Sequence, residues 1–386
     1  MSFPEEPLDL PPSQGGGYYP AAIHQLIHNA KYEIIRKLGY GPRSSTWLVL
    51  HDSEYHEPIY SALKIFTVAS SEEASHTQLP MLKAVHNLGR FDLRLPIFRG
   101  SFWEQSGAGA HLCVVMSAMA TSARALQMEA EHNRLPVHVV QKLVCTAANA
   151  LAGLHKEKFM HGGIDADSVY LGLGATMQTK YLKSVLDSEP QPTAVEVMGF
   201  TTVLSQPLST KYKWNDEQKK VVDWSVHVGN LGHVQRRTYT PEKGHNYSFA
   251  PETLLKRALC SPKTDIWMLG CLTYTLLTNT ELFTMPTSTS AAHRIATMHA
   301  VLEDDIPTSW LSDENLKEYN ADTRNSGNFI SIEAGLADAL YKDDVGPAAA
   351  FIKSCLRLDP QKRLTALECR LHEWLSMANA CSCQFC

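Results

Sequence analysis

The chain has 386 residues, 44% of them hydrophobic and 19% charged, an ordinary balance for a protein with a sizeable apolar core. A formal charge of −5 excludes nonspecific nucleic-acid binding, which needs a basic face. The longest apolar run, Ile266 to Leu277, is too short for a transmembrane segment.

Residues 1–17, acidic and then rich in Pro and Gly, read as a disordered lead-in. From Tyr32 the segments KYEIIRKLG, STWLVL and YSALKIF alternate as strands do, with glycines between the first two. A helical stretch follows around 71–86, and strand-like runs at Leu95–Phe102 and Leu112–Ala118 complete a β-rich region. Beyond Ala120 the pattern is helical, with apolar residues at helical spacing over Val137–Lys156, Thr264–Thr278 and Gly346–Leu356. Residues 172–193, which contain SEPQP, read as an insertion, and 203–246 as a long polar stretch. The nine cysteines are scattered without paired C-x-x-C motifs, the pattern of reduced thiols in a cytoplasmic or nuclear protein.

Several motifs carry chemistry. In Leu38-Gly39-Tyr40-Gly41 the glycines let backbone N–H groups approach a phosphate, although Gly-x-Gly also closes an ordinary hairpin. Lys64, in Ala62-Leu63-Lys64-Ile65-Phe66, sets an ammonium in an apolar strand, where it needs an anion or must snorkel to solvent. Downstream come Ala250-Pro251-Glu252, then Thr264-Asp265-Ile266-Trp267-Met268-Leu269-Gly270, then Leu358-Asp359-Pro360-Gln361-Lys362-Arg363.

In this order and spacing the motifs resemble those of protein kinases. Within that superfamily GGYYPAAIHQLIHNAKYEIIRKLGYG and QLPMLKAVHN are similar to segments of the SR-protein kinases and their fungal relatives. The resemblance covers roughly residues 14–378. It implies an α+β, two-lobed protein-kinase-like domain over 18–378, with an N-lobe of about 32–116 and a C-lobe of about 117–378. A disordered segment (1–17) precedes it and a Cys-containing tail (379–386) follows. It also implies a nucleotide pocket of Gly39, Gly41, Ala62, Lys64, Met116 and Met119, and a structural set of His161, Glu252, Asp265 and Arg363.

The chemistry-bearing positions depart from the family. The carboxylate that pairs with the lysine falls on Gln78. In His161-Gly162-Gly163-Ile164-Asp165-Ala166-Asp167-Ser168, Gly163 stands for the catalytic base, Asp165 for a phosphate-neutralising lysine and Ser168 for a metal-binding asparagine. Gly199, in Val197-Met198-Gly199-Phe200, aligns with the metal-binding aspartate. The expectation is a pseudokinase that binds a protein partner, an Arg/Ser-rich one by the resemblance, with ATP bound without Mg²⁺ at most. The alternative is an ATP-dependent protein serine/threonine kinase with a displaced site, for which Asp165 is the candidate. Glu303-Asp304-Asp305 and Asp343-Asp344 read as solvated acidic clusters. Cys383-Gln384-Phe385-Cys386 has the loose form of a prenylation box, but no aliphatic residue at Gln384 and no basic stretch upstream, so a free thiol-bearing tail is expected.

Overall fold

The computed structural model describes residues 5–52, 58–89, 93–173, 178–242, 245–283, 285–286, 288–319 and 330–379. They divide into two units. The first holds the described parts of Met1–Phe91, Leu95–Thr121 and Tyr170–Lys211; the second holds those of Asp92–Arg94, Ser122–Val169 and Tyr212–Cys386.

The first unit is built on an antiparallel six-stranded sheet. Its spatial order is Leu26–Ile27, Tyr32–Gly41, Ser44–Asp52, Pro58–Phe66, Gly109–Ser117 and Phe98–Ser106. Side chains alternate between the faces of a strand, so the register sorts the residues into two sets. Thr46 pairs with Lys64, Leu48 with Ala62, and Ala62 with Met116, which places these side chains on one face. Trp47, Val49, Leu63, Ile65, Cys113 and Val115 take the other face and form a buried cluster with Tyr19, Ala21, Ile27 and Val203.

That second face explains two departures from the sequence reading. Residues 5–17, expected to be disordered, are packed: Glu5 and Glu6 both pair with the buried Lys37, and the Leu8 amide donates to Thr201 O at 3.0 Å. Leu8 and Ile23 pack against the apolar cluster, whose burial offsets the entropy of ordering them. The expected insertion also belongs to this unit. It contributes a helix, Gln178–Ser188, and a hairpin of Ala194–Val197 with Phe200–Val203. Met198 and Gly199 close the hairpin at φ 54° and 81°, the backbone of a primed two-residue turn. The helix expected around 71–86 is two helices, Val68–His76 and Gln78–His86, meeting at Thr77.

The second unit is helical. Val137–Lys156 forms as expected; it is long and apolar enough to cross a membrane by length and composition, but eleven of its 20 residues are buried within the unit. The helix Pro262–Thr278 starts at a capping box of Ser261 and Thr264 with Pro262 at its first turn, and ends at Asn279 in the left-handed region. Gly270 lets this helix approach the C-terminal end of Lys342–Cys355: a Cβ there would stand 2.8 Å from the Leu356 side chain. Trp267 and Trp374 are core residues, and Trp267 stacks on Phe283. The polar stretch 203–246 is ordered by short elements, among them Val226–Val228 and Gln235–Arg236, the latter paired with Phe159–Met160. Six described cysteines are free thiols; the closest pair, Cys355 and Cys369, has its sulfurs 3.7 Å apart.

Candidate nucleotide and catalytic sites

In the first unit, Thr46, Ala62, Lys64 and Met116 share a sheet face. Met116 and Met119 are half-buried. Gly39 and Gly41 lie at the end of Tyr32–Gly41, where the Pro42–Arg43 turn leads back into Ser44–Asp52. That turn is pinned. The Tyr18 hydroxyl donates to Gly41 O at 2.9 Å, Thr67 N donates to Arg43 O at 2.9 Å, and the Arg43 guanidinium pairs with Glu73 at 2.6 Å. The helix after the lysine strand therefore does offer a carboxylate, but Arg43 takes it.

Among the described residues, no carboxylate pairs with Lys64. Its ammonium lies 4.9 Å from the centroid of the Phe66 ring. Burial pushes the ammonium down to about 8, and the neighbouring Arg43 guanidinium adds to the effect.

In the second unit, the catalytic-type segment is bound to a buried aspartate. Asp265 accepts from His161 N at 2.9 Å and Gly162 N at 2.8 Å, and pairs with His155 Nε2 at 2.8 Å. Burial works to raise the Asp265 carboxyl, but His155 and the neighbouring donors outweigh it and hold it below its usual value. His161 Nε2 donates to Gly229 O at 2.9 Å.

Asp165 and Ser168 bond each other, side chain to backbone. Asp165 Oδ1 accepts from Ser168 N at 2.7 Å and from Asp167 N at 3.0 Å. Ser168 Oγ donates to Asp165 O at 2.8 Å and accepts from Asp165 N at 2.9 Å. The pair closes a turn, which is the common use of an aspartate two or three residues ahead of backbone donors. Asp167 stands 3.6 Å from Arg124.

Gly199 needs correcting. It sits at the tip of the hairpin whose Val203 packs on the sheet face opposite Lys64, so it is a turn glycine. The segment beside the catalytic-type loop, within the second unit, is Gly229-Asn230-Leu231-Gly232, directly after the strand Val226–Val228. Gly229 N donates to Ser168 O at 2.7 Å and Gly229 O receives the His161 bond. Asn230, exposed and left-handed at φ 55°, takes the place assigned to Gly199. The signal was available: Ala-Val-Glu-Val-Met-Gly-Phe-Thr-Thr-Val reads as two short strands around a turn ending in glycine, and Val-His-Val-Gly-Asn-Leu-Gly as a strand leaving into a turn.

These residues do not fit a metal ion. Ser168 Oγ is committed to Asp165, and Asn230 offers only a neutral amide. Among the described residues no three His, Cys, Asp or Glu side chains converge as ligands.

The bracing residues are intact. Arg363 grips Glu252 through two bonds of 2.8 and 2.7 Å, both side chains buried, and its guanidinium lies 4.9 Å from the Trp267 ring centroid. Of the acidic clusters, Asp304 is not solvated: it pairs with Arg357 at 2.6 Å and accepts from Leu358 N at 2.7 Å. The tail with Cys383 lies outside the described residues.

Comparison with known proteins agrees with this architecture. The family model for the protein kinase domain matches residues 213–375. The serine/threonine-protein kinase SRPK of Physarum polycephalum is 22% identical over 392 residues, covering 94% of this chain and 89% of that protein. The SRSF protein kinase 3 of Mus musculus is 27% identical over 164 residues, but the match spans only 41% of this chain and 28% of that protein. A crystal structure of a kinase domain superposes with a TM-score of 0.65 at 17% identity, covering 93% of this chain and 99% of that one. The fold is that of the two-lobed protein kinases. By sequence the chain is similar to the SR-protein kinases of the protein kinase superfamily.

Proposed function

We propose that this chain is a pseudokinase, a kinase-fold module that binds a protein partner without transferring phosphate. One observation carries the proposal: the catalytic-type segment has no side chain at Gly163, and the side chains of Asp165 and Ser168 each bond the other's backbone. Phosphoryl transfer depends on a positioned nucleophile and on charge neutralisation by metal and cations. Loss of a general base alone typically costs about 10²–10⁴ in rate. Lys64, which has no carboxylate partner among the described residues, supports the same reading, because an ion pair with a carboxylate is what orients that lysine in the family.

The similarity to an SRSF protein kinase supports an Arg/Ser-rich segment as the class of partner, and a cytoplasmic or nuclear setting. A second reading, a weak ATP-dependent serine/threonine kinase, is favoured by Asn230, whose amide oxygen is a poorer ligand than a carboxylate but still an oxygen. Thermal-shift titration with ATP, with and without Mg²⁺ or Mn²⁺, separates the two. The pseudokinase predicts no metal-dependent stabilisation. Metal-dependent stabilisation together with phosphate incorporated into an Arg/Ser peptide overturns it.

A further inference from the structure

The space beside Gly163 is filled. A Cβ built on Gly163 would stand 3.1 Å from Cδ2 of His233, and one on Gly162, whose φ is +75°, would stand 2.5 Å from His233 O. His233 is held from both sides. Its Nδ1 bonds Glu242 at 2.8 Å, and its ring stacks on His245 with centroids 4.2 Å apart and planes 12° from parallel. His245 in turn donates from Nε2 to Gly162 O at 2.7 Å and packs edge-on to Tyr247. Glu242 is fixed as well, since its amide donates to the Tyr247 hydroxyl at 2.8 Å. Strand pairing of Gln235–Arg236 with Phe159–Met160 anchors the run between these residues. Burial, and then the neighbouring His233, push the His245 imidazole below its usual value.

We propose that His233, held by Glu242 and His245, is a built-in plug on the catalytic-type segment, with Gly163 and His233 as a matched pair: the ring crowds the position where a Cβ at 163 would stand. The proposal rests on the pseudokinase reading in that a permanent plug is compatible with a site that no substrate hydroxyl has to enter. It adds a consequence of its own, that restoring the family's aspartate at 163 does not restore the site while His233 is in place. Close packing sets the two against each other: a Cβ at 163 would stand 3.1 Å from the ring, so one or the other has to shift by a few tenths of an ångström, at a cost in stability.

The test uses the full chain and four proteins: wild type, Gly163→Asp, His233→Ala and the double variant. The readouts are hydrogen exchange over residues 229–236 and the melting temperature. Gly163→Asp is expected to speed exchange in that stretch by about fivefold or more, the ratio that a modest local destabilisation produces. The double variant is expected to be no worse than His233→Ala alone, since the ring that clashes has gone. Wild-type exchange in Gly163→Asp, or penalties that simply add in the double variant, overturns the proposal. If Gly163→Asp does not accumulate as folded protein, Gly163→Ala carries the same cycle, because its Cβ already reaches His233. Neither readout involves ATP, so phosphate transfer by the wild type would sink the pseudokinase reading and leave the plug standing, while additive penalties would do the reverse.

Discussion

Lys64 is the residue whose energetics differ most between a working and a non-working site, and Lys64→Met tests them. An ammonium moved from 10.5 down to about 8 corresponds to about 3 kcal/mol of unfavourable free energy in the folded state. Lys64 is not fully enclosed, so screening by solvent reduces this to about 1–3 kcal/mol. The sign follows from linkage. Below pH 8 the lysine is charged in both the folded and the unfolded chain, and the folded chain carries the whole cost. Between pH 8 and 10.5 the folded amine loses its proton first, and the cost disappears. Methionine keeps the length of the side chain and removes the charge. Lys64→Met is therefore expected to stabilise the protein by about 1–3 kcal/mol at pH 7, with the gain fading as pH rises toward 10.5. Urea unfolding monitored by tryptophan fluorescence at several pH values between 7 and 9.5 measures this. A variant that is neutral or less stable at pH 7 would show that an anion already compensates the ammonium, and the argument for an orphaned lysine would fail.

Arg363→Ala leaves Glu252 buried without its guanidinium partner, and the expected loss is about 3–5 kcal/mol by denaturant unfolding. Lys37→Met strands Glu5 and Glu6, and Glu6 is already pushed up to about 7 by burial despite its lysine. The expected result is release of residues 5–10, read as lost exchange protection at the Leu8 amide, and Glu5→Gln with Glu6→Gln in the same chain should restore it. Burial, and then the Arg94 charge, push the His227 imidazole down to about 4 from 6.5. As pH falls below 6.5 the unfolded chain takes up this proton first, so stability is lost between pH 6.5 and 4. His227→Gln should flatten that part of the stability profile, and an unchanged profile would count against the assignment.

Local patterns were legible wherever the physics is local. Val137–Lys156 has apolar residues at helical spacing, and it folds over that span. Pro262 and Ser261 announce the start of the helix that carries Asp265. The order of Glu252, Asp265 and Arg363 pointed to their burial, although the distance between Glu252 and Arg363 along the chain hid which atoms would meet. The acidic cluster at 303–305 looked uniform, yet Asp304 alone found a cation and a backbone donor.

The misplacement of Gly199 has a physical origin. A short motif made of a glycine and an apolar neighbour is satisfied equally by a hairpin turn and by a loop against the catalytic-type segment; the motif by itself does not choose, although the strand pattern flanking it carried a signal. Packing chose: Val203 had an apolar sheet face to cover, and Gly229 had Ser168 and His161 to bond. Composition of the first 17 residues, acidic and then rich in Pro and Gly, suggested disorder, and nothing within the segment offers its two glutamates a cation. Their partner, Lys37, comes from a strand more than 30 residues away.

Sequence by itself determined which residue types stand at the positions that the resemblance singles out, a glycine at 163 and a glutamine at 78, because replacement is a matter of residue identity. Tertiary structure alone decided what fills the resulting spaces. It gave Glu73 to Arg43 instead of Lys64, turned Asp165 and Ser168 toward each other, and set His233 against Gly163. Those outcomes depend on which groups arrive within a few ångströms of one another, and long-range packing sets that.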